Sequence, residues 1–474
     1  ATMKTKVTGA FVIGFDGQDH VIYKDGEVVY EGNQILFVGH DYPLPVDQTI
    51  DAGQAIISTD LGLQWSEAYF TEQRRDVFTL EEEIFKRRYA LVQLIMNGIT
   101  TAMPIAAETY KGWAESYAEF AAVADVAGEL GLRMYLGPSY RSGINVVRQD
   151  GTRTVLWDEA QGLAGLDDAV RFVRDFDGAH DGLIRGCLLP CRIETVTLDL
   201  LRRTQQAATE LNCHVRLHCL QGLQEMRFLR AWYDRTPLEL LAEVDLLGPR
   251  MLIPHAIYIG GHSELNEPYR GELELLAATG TSIIHCPLTS IRYANALESF
   301  DRYRQAGVNI ALGTDSFPPD FIRVMDYGHN IAKLIDQRKS AGAAADFFRA
   351  ATLGGAKALG REDLGRLAPG AKADLIIVDL SHLHVGPIDD PIRTLLMNTG
   401  GAYVRTVIIN GRTVMQDGQL SGIDFAQMKA QGQAYFVKLK AAYPERDYRQ
   451  RTVEELFPPS FPLREKPRPS ISDV

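Results

Sequence analysis

The sequence predicts an α/β protein: a TIM-type (β/α)8 barrel with a small β-sandwich domain built from both chain ends. Three observations point there. From about residue 57, strand-like and helix-like stretches alternate, the pattern of parallel strands joined by crossover helices. Eight strand candidates fall in that region. Short strands bounded by turn residues occupy the two flanks instead. The competing open, doubly wound sheet is disfavoured, because no Gly-rich phosphate loop follows the first strand.

The first part of the β-sandwich is expected over 1–56, with Asp25-Gly26 as a hairpin signal between VIYK and EVVY and NQILFVG as a further strand. The barrel is expected over 57–364. Its first strand is IISTDLGL. Thr79 with Glu82 forms a capping box for a helix ending at Gly98, and ITTAMPI follows as a buried strand. A helix through WAESYAEFAAVADVAGEL stops at Gly131, and LRMYLG is the next strand. GLIRGCLLP, HVRLH, RMLIPH, TSIIHCP and VNIALGTD complete the eight. The second part of the β-sandwich, 365–424, contains GAKADLIIVDL and a hairpin on Asn410-Gly411, and these late strands are expected to pair with the early ones. A C-terminal helix and a Pro-rich tail fill 425–474.

Composition narrows the function. The 474 residues suffice for a large barrel plus a satellite domain. With 46% hydrophobic and 23% charged residues the chain reads as a globular protein. A net charge of −12 and the lack of a Lys/Arg-rich run argue against a nucleic-acid partner. No apolar run is long enough for a membrane span, and the first residues lack the layout of a signal peptide. Cys187, Cys191, Cys213, Cys219 and Cys286 do not form a disulfide framework. A cytoplasmic enzyme with a small-molecule substrate, assembled as a homo-oligomer (dimer or tetramer), is the expectation.

In a barrel of this type the chemistry sits at the C-terminal ends of the strands. His218 ends the fifth, His255 the sixth and Asp315 the eighth, and His285 lies near the end of the seventh. Each has a structural alternative: a packed core ring for His285, a turn cap for Asp315. Cys191, one residue past the fourth strand, is a candidate substrate contact or a small core residue. Arg185, Arg192 and Arg216 lie on or beside strands four and five and could meet an anionic substrate group.

On these residues the chain resembles the amidohydrolase superfamily, closest to the branch of triazine chlorohydrolases and cytosine- and guanine-type deaminases. The matching stretches are NGIT, RLH, PHA, HCPLTS, LGTD and GAKADLIIVDL. The resemblance implies one divalent metal (zinc, iron or cobalt) that activates a water. It also implies metal ligands at His218 and Asp315, a polarising role for His255, and a proton-shuttling glutamate three residues after His218.

Two departures stand against that pattern. Trp65 and Glu67 occupy the places of the ligand pair His-x-His after strand one, and Gln221 stands where the glutamate is expected. Glu67 can serve as an oxygen ligand, whereas Trp65 cannot ligate at all and could wall a substrate pocket. Gln221 can hydrogen-bond but cannot exchange a proton. Two readings of the site therefore stay open, a mixed His218–Asp315–Glu67 metal centre and a metal-free acid/base site. The expected activity is hydrolysis of a C–N bond, less so C–Cl or C–S, in a small cyclic, urea or carbamoyl compound. The alternatives are metal-free acid/base chemistry, meaning hydrolysis, elimination or isomerisation, and a binding protein without turnover.

Overall fold

A computed structural model describes residues 3–31, 34–51, 65–104 and 110–466. The chain divides into two compact units, 1–61 with 443–474, and 62–442.

The first unit is built on a five-stranded sheet. Strands β1 (Lys4–Phe15) and β2 (His20–Glu31) pair antiparallel from Lys4↔Glu31 to Phe15↔His20. β3 (Gln34–Gly39) adds to β2, and β4 (Gln48–Asp51) runs parallel to β1. The turn differs from expectation. Asp25 and Gly26 lie inside β2, which passes through Asp25 at φ 50° without reversing. The chain reverses at Asp16–Asp19, where the Asp16 carboxylate accepts from the main-chain N–H of Gln18 (3.0 Å) and Asp19 (3.1 Å). A side chain that caps its own turn, with eleven matched residue pairs across the ladder, outweighs a dipeptide preference.

The second unit carries the expected alternation. Helix α1 (Glu67–Glu72) is followed by α2 (Leu80–Met96), whose capping box is formed: Thr79 N–H donates to Glu82 at 3.0 Å, and Glu82 N–H to the Thr79 hydroxyl at 3.2 Å. Helix α3 (Tyr117–Leu130) ends on Gly131 in the left-handed conformation, φ 80°. Seven parallel strands follow in sequence order. β5 (Thr101–Ala102) and β6 (Arg133–Leu136) form one ladder with Ile184–Gly186, which the Leu188↔Val215 bridge links to Val215–Arg216. Met251–Pro254, Ser282–His285 and Ile310–Leu312 then extend the parallel order. The remaining expected strand, IISTDLGL, lies outside the described residues.

Each ladder is shorter than its apolar run, because the last residues leave the sheet to shape loops. An antiparallel hairpin not foreseen from the sequence, β7 (Gly143–Val147) and β8 (Arg153–Trp157), is inserted after β6. The remaining strands are β9 (Ile184–Gly186), β10 (Val215–Arg216), β11 (Met251–Pro254), β12 (Ser282–His285) and β13 (Ile310–Leu312). Helices α4 (Glu159–Phe176), α5 (Leu198–Leu211) and α6 (Leu223–Tyr233) fill the connections around β9 and β10. Leu136, Ile253 and Ile283 are fully buried in one continuous core, so truncating any of them to Ala would cost about 2–5 kcal/mol.

The late strands β14 (Leu375–Val378), β15 (Val404–Ile409) and β16 (Arg412–Met415) form their own sheet, with Asn410 (φ 52°) and Gly411 (φ 77°) making the expected tight turn. Val404, Val407, Ile409 and Met415 join the barrel core, and Asp374 holds the fully buried Arg133 through two hydrogen bonds of 2.7 and 3.0 Å. The end segment that does join the early sheet is β17 (Leu463–Arg464), parallel to β2. A C-terminal helix, Phe425–Arg446, is present as expected. No helix among the described residues is long and apolar enough to cross a membrane.

Candidate active site

His218 lies just beyond β10, with Arg192 and Cys219 flanking it in the parallel bridges Arg192↔His218 and Cys219↔His255. Three neighbouring strand ends are thereby tied together. His255 follows β11 in a left-handed conformation (φ 71°), and Asp315, three residues past β13, is also left-handed (φ 53°). Such backbone is uncommon for residues other than Gly and is stored where the surrounding fold over-determines it. Gly313 is what allows β13 to approach β12 here: a Cβ would sit 2.8 Å from the Cys286 sulfur and 3.0 Å from Ile284 Cγ2.

The result brings three predicted side chains together. His255 Nε2 is 3.8 Å from an Asp315 carboxylate oxygen, and the His218 and His255 rings lie 5.5 Å apart, centroid to centroid. His218 Nδ1 is 3.1 Å from the Cys191 carbonyl oxygen. A carbonyl only accepts, so Nδ1 carries the proton and Nε2 of the neutral ring keeps its lone pair. Burial, helped by Arg216, His255 and Arg192, pushes the His218 pKa well below its usual value. Burial, then Arg192 and His285, lowers that of His255 to about 3. Both rings are therefore neutral at neutral pH.

The other predicted residues are placed differently. Cys191 is buried, and its main-chain carbonyl oxygen faces His218 Nδ1. His285 is a packed ring: it is buried, its centroid lies 6.0 Å from Phe300 and 6.4 Å from Phe347, and burial lowers its pKa to about 3. Its contacts are those of the core alternative. Trp65 is 6% exposed, and its carbonyl accepts from Val147 N–H of the inserted hairpin at 2.7 Å. Glu67 opens α1, and its carboxylate is 3.2 Å from Arg148 Nε just past β7. That pairing turns the expected ligand toward a cation. Arg185 is likewise taken up by Asp177 at 2.8 Å.

Gln221 is half-buried and held by Arg192, which the sequence offered as an anion contact, and by glutamates that sequence reasoning did not single out. Arg192 donates to its side-chain oxygen and, through Nε, to Glu194 at 2.6 Å. Glu225 accepts from the Gln221 main-chain N–H at 3.3 Å. Glu194 also accepts from Asn145 at 3.1 Å. The only signals for these partners were the charged pair in RIET after strand four and the glutamate in QGLQE after strand five.

These donors do not fit the metal centre that the resemblance implied. Trp65 has no lone pair to give, Glu67 is paired with Arg148, and among the described residues no three His, Cys, Asp or Glu side chains are placed to hold a metal ion. The mixed His218–Asp315–Glu67 site is thus not assembled.

Comparison with known proteins agrees with the barrel. Residues 85–414 match the sequence profile of the amidohydrolase family. A 5-methylthioadenosine/S-adenosylhomocysteine deaminase of Halobacterium salinarum is 29% identical over 433 residues, covering 86% of this chain and 92% of that protein. A 5'-deoxyadenosine deaminase of Methanosarcina mazei is 27% identical over 426 residues, 88% of this chain and 94% of that protein. Among solved structures, a zinc-bound adenosine deaminase from Xanthomonas campestris has a TM-score of 0.66 at 22% identity, covering 92% of this chain and 99% of that one. An atrazine chlorohydrolase from Arthrobacter aurescens TC1 complexed with zinc has a TM-score of 0.63 at 20% identity, covering 91% and 99%. Those likenesses establish the TIM-barrel fold. With the family profile spanning most of the barrel and running through β16, the chain belongs to the amidohydrolase family and is a hydrolase of carbon–nitrogen bonds.

Proposed function

We propose that this protein hydrolyses the exocyclic C–N bond of an aminopurine nucleoside or a similar small heteroaromatic amine, releasing ammonia. The observation that carries the reading is the convergence of neutral His218, neutral His255 and Asp315 beyond the ends of β10, β11 and β13. The deaminase relatives give the substrate class its direction.

In this reaction water adds to the ring carbon that bears the amino group. Asp315 takes a proton from the water, and the neutral His255 ring beside it steadies the pair. His218, its Nδ1–H held on the Cys191 carbonyl, presents Nε2 as an acceptor that orients the attacking water. The proton returns to the amino nitrogen, the C–N bond breaks, and the products are the oxo compound and ammonia. Water and amine are consumed one for one.

The test is ammonia release by the purified protein from 5-methylthioadenosine, S-adenosylhomocysteine and 5'-deoxyadenosine, beside His218→Gln and Asp315→Asn. Turnover by wild type that both substitutions suppress is expected. No ammonia from any aminopurine nucleoside, in folded protein, would rule the substrate class out.

A further inference from the structure

His255 is set beside Asp315 by a turn that few residues adopt. The N–H of Ala256 returns to the Pro254 carbonyl at 3.0 Å, so His255 is the central residue of a three-residue turn, with φ 71°. That is the left-handed form of the turn, the rare and strained one. Ala256 follows at φ 51°, so two consecutive residues place a Cβ in a region that favours glycine.

Main-chain bonds bracket the turn. His255 N–H donates to the Ile284 carbonyl of β12 at 2.8 Å, and the N–H groups of Ile257 and Tyr258 both reach the Leu220 carbonyl, at 2.8 and 2.9 Å. A side chain closes it: the Tyr303 hydroxyl lies 2.7 Å from the Ala256 carbonyl oxygen, 47 residues away in the chain. A carbonyl only accepts, so the phenol donates. Burial pushes the phenol's pKa up, which keeps that proton in place. Tyr303 and Ala256 are both fully buried, so losing the bond would leave a dry carbonyl short of its partner. Tyr303 comes from the short helix Phe300–Gln305 between β12 and β13. One turn earlier on that helix Phe300 stacks on Phe347, ring centroids 4.1 Å apart, and Leu297, Phe300 and Tyr303 belong to one core. The hydroxyl is therefore presented from a packed support.

We propose that Tyr303 is a positioning residue: its hydrogen bond to Ala256 holds the left-handed turn that aims the His255 ring at Asp315. It acts through His255 and takes no part in the chemistry itself. The role of His255 in the reaction rests on the deaminase reading, whereas what Tyr303 holds rests on the turn alone.

The experiment is a double-mutant cycle read in steady-state ammonia release from 5'-deoxyadenosine, with a crystal structure of the Tyr303→Phe protein beside it. Phenylalanine keeps the ring and removes the donor. Tyr303→Phe should lower kcat about tenfold and leave KM within about twofold. In a His255→Asn background, where asparagine tolerates the left-handed backbone, the same substitution should change kcat by less than about twofold. Ala256→Gly added to Tyr303→Phe should return most of the lost rate, because glycine adopts the turn without help. That pair also serves where Tyr303→Phe alone folds poorly. A merely structural hydroxyl would cost the same factor in both His255 backgrounds and gain nothing from Ala256→Gly, and either result overturns the proposal. In the crystal the turn at 255–256 should open and the His255–Asp315 separation should exceed 3.8 Å, and a turn unmoved at φ 71° overturns the proposal too. Should wild type release no ammonia, the deaminase reading falls, and the crystal structure still decides whether Tyr303 holds the turn.

Discussion

Replacing Asp315 by Asn separates chemistry from folding at this site. Asp315 sits at φ 53°, a conformation in which Asn is as well tolerated as Asp, whereas Ala would add backbone strain. The side chain is 15% exposed, so the neutral amide meets solvent and its stability cost stays small. What is lost is the basic oxygen 3.8 Å from His255. General-base catalysis contributes about 10²–10⁴ in rate, which corresponds to about 3–5 kcal/mol at about 1.4 kcal/mol per decade. The assay is steady-state ammonia release, with circular-dichroism melts to confirm the fold. The expected outcome is kcat lower by about two to four decades with KM and melting temperature little changed. A variant within about threefold of wild type, folded and saturable, would refute the role given to Asp315.

Acid should destabilise this protein through its buried histidines. His255 and His285 titrate near 3 in the folded state and near 6.5 when unfolded, so between those values the unfolded chain binds more protons. Their stabilisation is complete above about pH 6.5 and is lost as pH falls, by about 1.4 kcal/mol per pH unit for each ring. Denaturant titrations of wild type and His285→Leu between about pH 4 and 6 should give slopes differing by that amount, and parallel slopes would contradict it. Cutting the buried Arg133–Asp374 pair with Asp374→Ala leaves a charge without its partner. A loss of about 3–5 kcal/mol in urea melts is expected, and less than about 1 kcal/mol would show the pair to be dispensable. Glu67→Gln should change neither turnover nor metal content, because this carboxylate serves Arg148 in a half-exposed pair worth at most about 1 kcal/mol. Metal content that drops in that variant, measured by mass spectrometry, would restore Glu67 as a ligand.

Local signals were readable wherever a few neighbouring residues decide the outcome. The Thr79–Glu82 box and the Asn410-Gly411 turn formed as the sequence indicated, because each is closed by its own atoms. Asp25-Gly26 carried an equally plain turn signal, yet it runs straight through a strand. There the pairing of β1 with β2 supplies a whole ladder of hydrogen bonds against one dipeptide's preference.

Chain position alone nominated His218, His255 and Asp315 as candidates, since the end of a barrel strand is where chemistry collects and its place can be counted from the alternation. The roles of Glu67, Cys191 and Gln221 could not be read that way. Their partners are Arg148, the His218 ring (through the Cys191 carbonyl) and Arg192, at separations of 81, 27 and 29 residues. Which side chain neutralises which charge depends on the strands and hairpins that come to lie side by side. Burial then sets the price of leaving any of them unpaired. The sequence by itself determined the alternation and the barrel, and it nominated the three strand-end candidates that the structure brings near one another. Only the tertiary structure decided that Glu67 faces a cation and that Gln221 is held by a half-buried arginine, because those outcomes are settled by electrostatics between residues far apart in the chain.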